Sequence, residues 1–228
     1  MRLLALETAT LAGRAALLDD GRLVGESRLN IALTHSERLM AVVDRLLQDC
    51  GWEMSSVRGL AVSIGPGSFT GLRVGAATAK GLALALDLPI APVPTLDALA
   101  ATLPFADAPV CPLLDARKGE IYCSLYRWSG VEMVRVWDYL ALPPAEAAAR
   151  LEAPVIVVGD GVAACRPHLG RLGAGLREAP PAQSLPSPAV VGALGHAMLR
   201  SGGGVSAERL TPLYLRPSEA ELKARRAS

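Results

Sequence analysis

Ile64-Gly65-Pro66-Gly67-Ser68-Phe69-Thr70-Gly71-Leu72-Arg73-Val74-Gly75 is the stretch on which the reading of this chain turns. It joins an apolar, strand-like run, Leu60–Ile64, to a long alanine-rich helix expected over Phe69–Leu86. Glycine is required where a turn takes positive φ or where another backbone or an anion comes close. Such strand–loop–helix junctions are where α/β proteins hold phosphate. Both standard phosphate templates fail here. Gly65, Gly67 and Gly71 are spaced one residue too long for the dinucleotide fingerprint, and Gly71 is followed by Leu72 and Arg73 rather than by Lys and Ser/Thr. The nucleophile elbow G-x-S-x-G fails as well, because Ser68 directly follows Gly67. Ser68 reads instead as the N-cap of the helix, its hydroxyl accepting an orphan amide.

Outward from this junction the chain reads as one plan used twice. Strands are expected near Arg2–Leu6, Gly13–Leu18 and Arg22–Leu29, with Asp19-Asp20-Gly21 as a hairpin turn. A helix over Ser36–Cys50 follows, opened by a Thr34/Glu37 capping box and closed by Gly51. The Leu60–Ile64 strand and the Phe69–Leu86 helix complete that half. The second half repeats the order. Strands fall near Val110–Leu114, Glu120–Arg127 and Val131–Val136, with a turn at Trp128-Ser129-Gly130. Next come a helix around Ala145–Leu151, a strand Val155–Val158 ending in Gly159-Asp160-Gly161, and a helix near Ala189–Arg200 expected to pack back on that strand. Three antiparallel strands, a helix, a strand and a helix, taken twice, make an α/β chain of the duplicated ribonuclease-H-like plan, that of the actin-like ATPase (ASKHA) superfamily. The expected subdomains are 1–103 and 104–218, divided near Leu103–Pro109, with a polar tail over 219–228 that carries Lys223, Arg225 and Arg226. Gly170–Pro188 reads as a surface connection.

At 228 residues, 51% of them apolar, the chain has material for a substantial core, which excludes a disordered protein. A formal charge of +1 argues against a protein that holds nucleic acid by itself. Arg2-Leu3-Leu4-Ala5-Leu6 runs straight into Glu7, so no secretory leader is read, and no apolar run approaches the ~20 residues of a membrane span. Cys50, Cys111, Cys123 and Cys165 are far apart and form no C-x-x-C pair. They read as reduced, buried thiols of a cytoplasmic protein rather than as zinc ligands.

In active members of the superfamily the first hairpin loop carries an aspartate that positions a metal–nucleotide phosphate. Here that loop reads Glu7-Thr8-Ala9-Thr10. The extra methylene of Glu7 displaces the carboxylate by about an ångström, a costly error at a catalytic centre. Glu7 and Thr8 are therefore expected to cap the turn as vestiges of a nucleotide loop. Asp115 holds the corresponding place in the second half but is followed by Ala116-Arg117, so a salt bridge or turn hydrogen bond is expected there. His35, His168 and His196 lie in three separate segments; His35 reads as a helix N-terminal residue and His196 as a satisfied core residue.

The stretch Ala61–Val93, with Gly65-Pro66-Gly67-Ser68-Phe69-Thr70-Gly71-Leu72-Arg73 at its centre, closely resembles the TsaB family. So do Leu3–Thr10, Leu114–Tyr122 and Pro212-Leu213-Tyr214-Leu215-Arg216, which extends the resemblance over nearly the full length. TsaB proteins are the non-catalytic partners in bacterial synthesis of threonylcarbamoyladenosine in transfer RNA. The resemblance implies the same duplicated fold, a TsaD-like catalytic paralogue as partner, self-association when alone, and contact with transfer RNA only through the complex. A TsaE-like ATPase is the third expected component, with Pro212–Arg216 either a docking element for it or simply a last segment covering the core. The paralogue carries an H-x-E-x-H metal motif; alignment on Pro89–Val93 puts Thr95, Asp97 and Leu99 at those places, so neither a metal nor a cofactor is expected. A small phosphotransferase using Glu7 or Asp115, a metallopeptidase, and a homodimeric scaffold unrelated to transfer RNA are the alternatives.

The two helices of the first half carry the expected association surface. Gly71, Gly75, Ala79 and Ala83 recur every four residues along one face. Interior glycines cost roughly 1 kcal/mol each against alanine, so close approach of another helix, from a partner or from the chain itself, must recover that. Leu39, Met40, Val42, Val43, Leu46, Leu47 and Cys50 span an arc of roughly 160°, wider than the ~100° stripe of a helix packed on one core. In the TsaB family these helices pair with the paralogue and with themselves, which puts Leu39, Met40, Val43, Leu46, Gly71, Gly75 and Ala79 at the expected interface.

Overall fold

The computed structural model describes residues 1–10, 13–28 and 35–216. The Thr34/Glu37 capping box, the His35 side chain and the tail over 219–228 lie outside the described residues.

In the first half β1 (Arg2–Glu7), β2 (Arg14–Asp19) and β3 (Arg22–Ser27) are followed by α1 (His35–Asp49), β4 (Gly59–Gly65), α2 (Phe69–Leu86), β5 (Ile90–Pro94) and α3 (Thr95–Ala100). The sheet order is β3-β2-β1-β4-β5, antiparallel on one side of β1 and parallel on the other. Asp20 and Gly21 both take positive φ, 46° and 78°, which suits the twist of a two-residue hairpin. Gly51, at φ 65°, ends α1 in a left-handed cap, with Trp52 N donating to Leu47 O. Ser68 accepts from Gly71 N at 3.3 Å and so caps α2 as expected.

The second half comprises β6 (Val110–Arg117), β7 (Glu120–Cys123), β8 (Tyr126–Trp128), β9 (Met133–Arg135), β10 (Leu140–Leu142), α4 (Pro144–Ala149), β11 (Val155–Val158), α5 (Val162–Cys165), β12 (Leu176–Glu178) and α6 (Pro188–Arg200). The expected Glu120–Arg127 strand is interrupted rather than wrong. Leu113 pairs with Cys123 and Val110 with Tyr126, so β7 and β8 keep one register on β6 across a break at Ser124 and Leu125. At that break Leu125 O accepts from Val136 N and Ser124 Oγ donates to Trp137 O, which bends both neighbouring strands together. With β7–β8 and β9–β10 each taken as one broken strand, this sheet repeats the order and the parallel and antiparallel pairing of the first. The duplication is thus visible in the topology. Part of the expected surface connection at Gly170–Pro188 is structured, since β12 extends this sheet.

Two helices cross the expected division of the chain. Val191, with Ala189, Val190 and Leu194, packs on Leu3, Ala5, Ala16 and Leu18, so α6 covers the back of the first sheet and not the Val155–Val158 strand. Conversely, Leu96, Leu99 and Ala100 of α3 join Val110, Leu114 and Tyr126 on the second sheet. The 103/104 boundary separates two sheets but not two packing units. The reason is burial: each sheet has two apolar faces, and the chain covers one face of each with a helix that crosses between halves. At ~1.5–3 kcal/mol for each fully buried leucine, these crossings are a large share of the core. Cys111, Cys123 and Cys165 are free and buried; burial pushes the Cys123 thiol up to about 12. No helix among the described residues is long and apolar enough to cross a membrane.

Candidate functional site: the loop cleft and the outer helix face

The ends of β1 and β4 meet at the glycine junction, where the chain closes on itself. Ser68 N donates to Ala9 O at 2.7 Å, and a side chain on Gly67 would collide with that same carbonyl. Gly65, at φ 119°, has the Leu213 carbonyl pressed against it, while Leu213 N donates to Ile64 O at 2.7 Å. The glycines are used for close approach of the chain to itself.

Glu7 is fully buried, and its carboxylate is spent within its own loop. Oε1 accepts from Ala9 N and Oε2 from the Thr10 hydroxyl, both at 2.8 Å, with Arg14 Nη1 at 3.6 Å. Burial raises its pKa, and the Arg14 charge and these hydrogen bonds only partly offset that. A group held in this way cannot reach a metal–nucleotide phosphate. Glu7 therefore caps the turn as expected. Thr8 does not: its hydroxyl is buried without a hydrogen-bond partner and its side chain is wedged against Gly75. Arg14, which gave no signal beyond an arginine opening a strand, also donates to Pro186 O and so ties this loop to the segment before α6.

In the second half Asp115 makes the expected turn contacts, accepting from Arg117 N at 2.7 Å and pairing with the Arg117 guanidinium at 3.3 Å. Asp160 supports it, with Oδ1 accepting from Asp115 N at 2.9 Å. Burial raises the Asp160 pKa, and the nearby Asp115 carboxylate adds to that. The Gly159-Asp160-Gly161 turn was visible in the sequence, but its proximity to Asp115 comes only from the parallel β6–β11 pairing.

The C-terminal segment spans both halves. Tyr214 lies against Phe69, with ring centroids 5.0 Å apart, and Arg216 pairs with Glu120 at 2.6 Å. Of the two expected roles for Pro212–Arg216, its contacts are those of a covering segment.

At the places aligned with the metal motif, Thr95 and Leu99 are fully buried, and Asp97 Oδ1 accepts from both the Tyr126 hydroxyl, at 2.6 Å, and the Tyr139 hydroxyl, at 2.7 Å. Among the described residues no three His, Cys, Asp or Glu side chains stand together as a metal site. His196 is not the satisfied core residue expected: Nε2 is buried without a hydrogen-bond partner and lies 3.8 Å from Asp20 Oδ1.

The expected interface residues require the largest correction. Leu39, Val43, Leu46 and Ala79 belong to the chain's own core under α1 and α2. Gly71 and Gly75 face Thr8, where any side chain would collide with it. Val42 and Cys50 pack on the same core, which accounts for the wide apolar arc of α1. Only Met40 of the seven is half-exposed. The stripe therefore faces inward, because β1 and its loop approach α2 as closely as a second helix would. What α2 presents to solvent is the opposite face, Thr70, Arg73, Ala77, Gly81 and Leu84, with Leu84 70% exposed and open space at Gly81. Beside it α1 exposes Ala41, Asp44, Arg45 and Gln48.

Residues 30–222 match the family model for TsaD, tRNA N6-adenosine threonylcarbamoyltransferase. The tRNA threonylcarbamoyladenosine biosynthesis protein TsaB of Bacillus subtilis is 31% identical over 98% of this chain and 97% of its own length. Its Escherichia coli counterpart is 34% identical over 96% of each. Among solved structures, a Pseudomonas aeruginosa protein described as similar to the peptidase YeaZ superposes with a TM-score of 0.81 at 32% identity, covering 94% of this chain and 99% of that one. The activator of 2-hydroxyisocaproyl-CoA dehydratase from Clostridium difficile shares the fold alone, with a TM-score of 0.52 at 8% identity over 94% of this chain and 100% of that one.

Proposed function

The chain belongs to the TsaB family, and from that premise we propose that it serves threonylcarbamoyladenosine formation in transfer RNA as a partner protein rather than as the catalyst. The observation that carries this reading is that the glycine junction closes on the chain itself. Ala9 and Leu213 occupy the approach to the glycine junction, and the Glu7 carboxylate is consumed by its own turn. A small phosphotransferase would need that space open. The metal–nucleotide phosphate that the wider superfamily binds does not fit here, so no step is assigned to it.

The partner is a TsaD-like paralogue, seated on the outer face of α1 and α2. Support comes from chemistry: between Phe69 and Leu86 that face is small or apolar, with Arg73 and Lys80 as the only charges of the helix. Leu84 is a large apolar side chain left 70% exposed on that face. A shared fold lets one self-complementary patch serve both a second copy and the paralogue. A TsaE-like ATPase is the third component of this reading, transfer RNA is met through the complex, and the location is the cytoplasm. The test is capture of purified paralogue by the chain and by its Leu84→Glu variant. Retained folding with binding weakened about tenfold or more supports the face; equal capture by both removes it.

A further inference from the structure

The face of the first sheet that α6 covers ends in a buried polar rung. Arg14 is matched to Glu7 across β2 and β1. The parallel register of β1 and β4 runs through Leu6 and Val62, so the next residues along are Glu7 and Ser63. Ala5, Ala16 and Ala61 pack on the α6 side. Each stands two residues from Glu7, Arg14 or Ser63, and alternation along a strand puts those three side chains on the same side. Thr95 opens α3 one turn before Ala98, a member of the same cluster, and so faces the first sheet as well. All four are closed to solvent: Glu7 and Thr95 are 0% exposed, Ser63 1% and Arg14 3%. Three of them carry a polar atom with no hydrogen-bond partner among the described residues, namely Ser63 Oγ, Thr95 Oγ1 and Arg14 Nε. Arg14 Nη1 is 3.6 Å from Glu7 Oε2, too far for a direct hydrogen bond.

We propose that this rung is a binding site for an ordered water molecule, which bridges Arg14 and Ser63 on the first sheet to Thr95 on α3. Buried polar groups are rarely left unbonded, and three at one level identify a bound species. Chemistry selects the occupant. A carboxyl and a guanidinium on the same rung leave no excess charge to hold an ion of either sign, while both hydroxyls can donate and accept. Burial sets the size, because side chains this closed admit nothing larger than water. Arg14 Nε can donate to that water, and its two protons can go to the Ser63 and Thr95 oxygens, which is the usual complement of a buried water. Further along the sheet α6 closes directly on the strands: a Cβ on Gly192 would strike Leu18, and one on Gly195 would strike Ala61. The bridge joins the two halves of the chain, since α3 packs on the second sheet through Leu96 and Leu99. It does so without a nucleotide, and it is independent of the reading of the α1–α2 face.

The experiment is a crystal structure of the parent chain, with denaturant melts of Ser63→Ala, Thr95→Val and the double variant. A density peak of water size is expected within hydrogen-bond distance of Arg14 Nε and of both hydroxyls. Each single variant should raise the unfolding equilibrium constant about fivefold or more. The double should fall well short of the product of the two, because the first substitution already breaks the bridge. Hydroxyls that are buried and simply unbonded would behave in the opposite way, their removal leaving the constant unchanged or lowering it. That result overturns the proposal, as do a rung without a peak, a peak too large for water, and single effects that multiply in full. If a variant does not fold, the density at the rung decides alone.

Discussion

Thr8, just past the end of the first strand, and Gly75, in the second turn of α2, are packed so closely that a Cβ on the glycine would strike the threonine hydroxyl. This contact explains why glycine is kept in a helix interior where it costs roughly 1 kcal/mol against alanine. It also turns the small-residue stripe inward. Gly75→Ala is expected to lose about 1–3 kcal/mol, and Gly75→Leu more, by overpacking against β1. For a chain of this size each kcal/mol lowers Tm by about 2–4 °C. A Gly75→Ala variant that melts at or above the parent temperature would show that the contact is not tight.

Glu7 gives a pH signature. Its carboxyl is raised above the ordinary 4.5 by burial, so between that value and its folded value the unfolded chain has released the proton while the folded chain still holds it. The contribution of Glu7 to stability is therefore fully present below about pH 4.5 and is lost as pH rises through the folded value. Denaturant melts of the parent and of Glu7→Gln should diverge in the matching sense, the parent losing stability relative to the variant as pH rises from 4.5. A difference that is flat or grows with pH would contradict the assignment.

Asp97 anchors two tyrosine hydroxyls, one of them on the buried Tyr126. Asp97→Ala leaves that hydroxyl without an acceptor and should cost about 2–4 kcal/mol, given ~1.5–3 for a hydrogen bond to a charged group. Asp97→Asn, which keeps an acceptor, should cost less. Equal stability of all three proteins in a chemical melt would refute a structural role for Asp97.

Much of the fold was legible in the sequence. Apolar runs bounded by turn residues placed β1 to β4, and Ser68 and Leu86 bounded α2 without error, because turn and cap chemistry is local. The break at Ser124 and Leu125, and the crossing of α3 and α6 between sheets, depend on which apolar surfaces remain uncovered after the sheets form. No local pattern carries that information. The interface residues failed for a related reason. Periodicity shows that Gly71, Gly75 and Ala79 share a face, but not whether that face looks at a partner or at Thr8. Asp160 and Arg14 act through strand pairing with Asp115 and Glu7, and spacing of 45 and 7 residues gave no sign of either contact.

The central claim is that the chain is a required partner without chemistry of its own. It is tested most directly by measuring threonylcarbamoyladenosine on transfer RNA in a reaction reconstituted from purified components. The paralogue together with the chain should form the product, while the chain without the paralogue should form none and hydrolyse no ATP. Product formed by the chain alone, and abolished by Glu7→Ala or Asp115→Ala, would contradict the account.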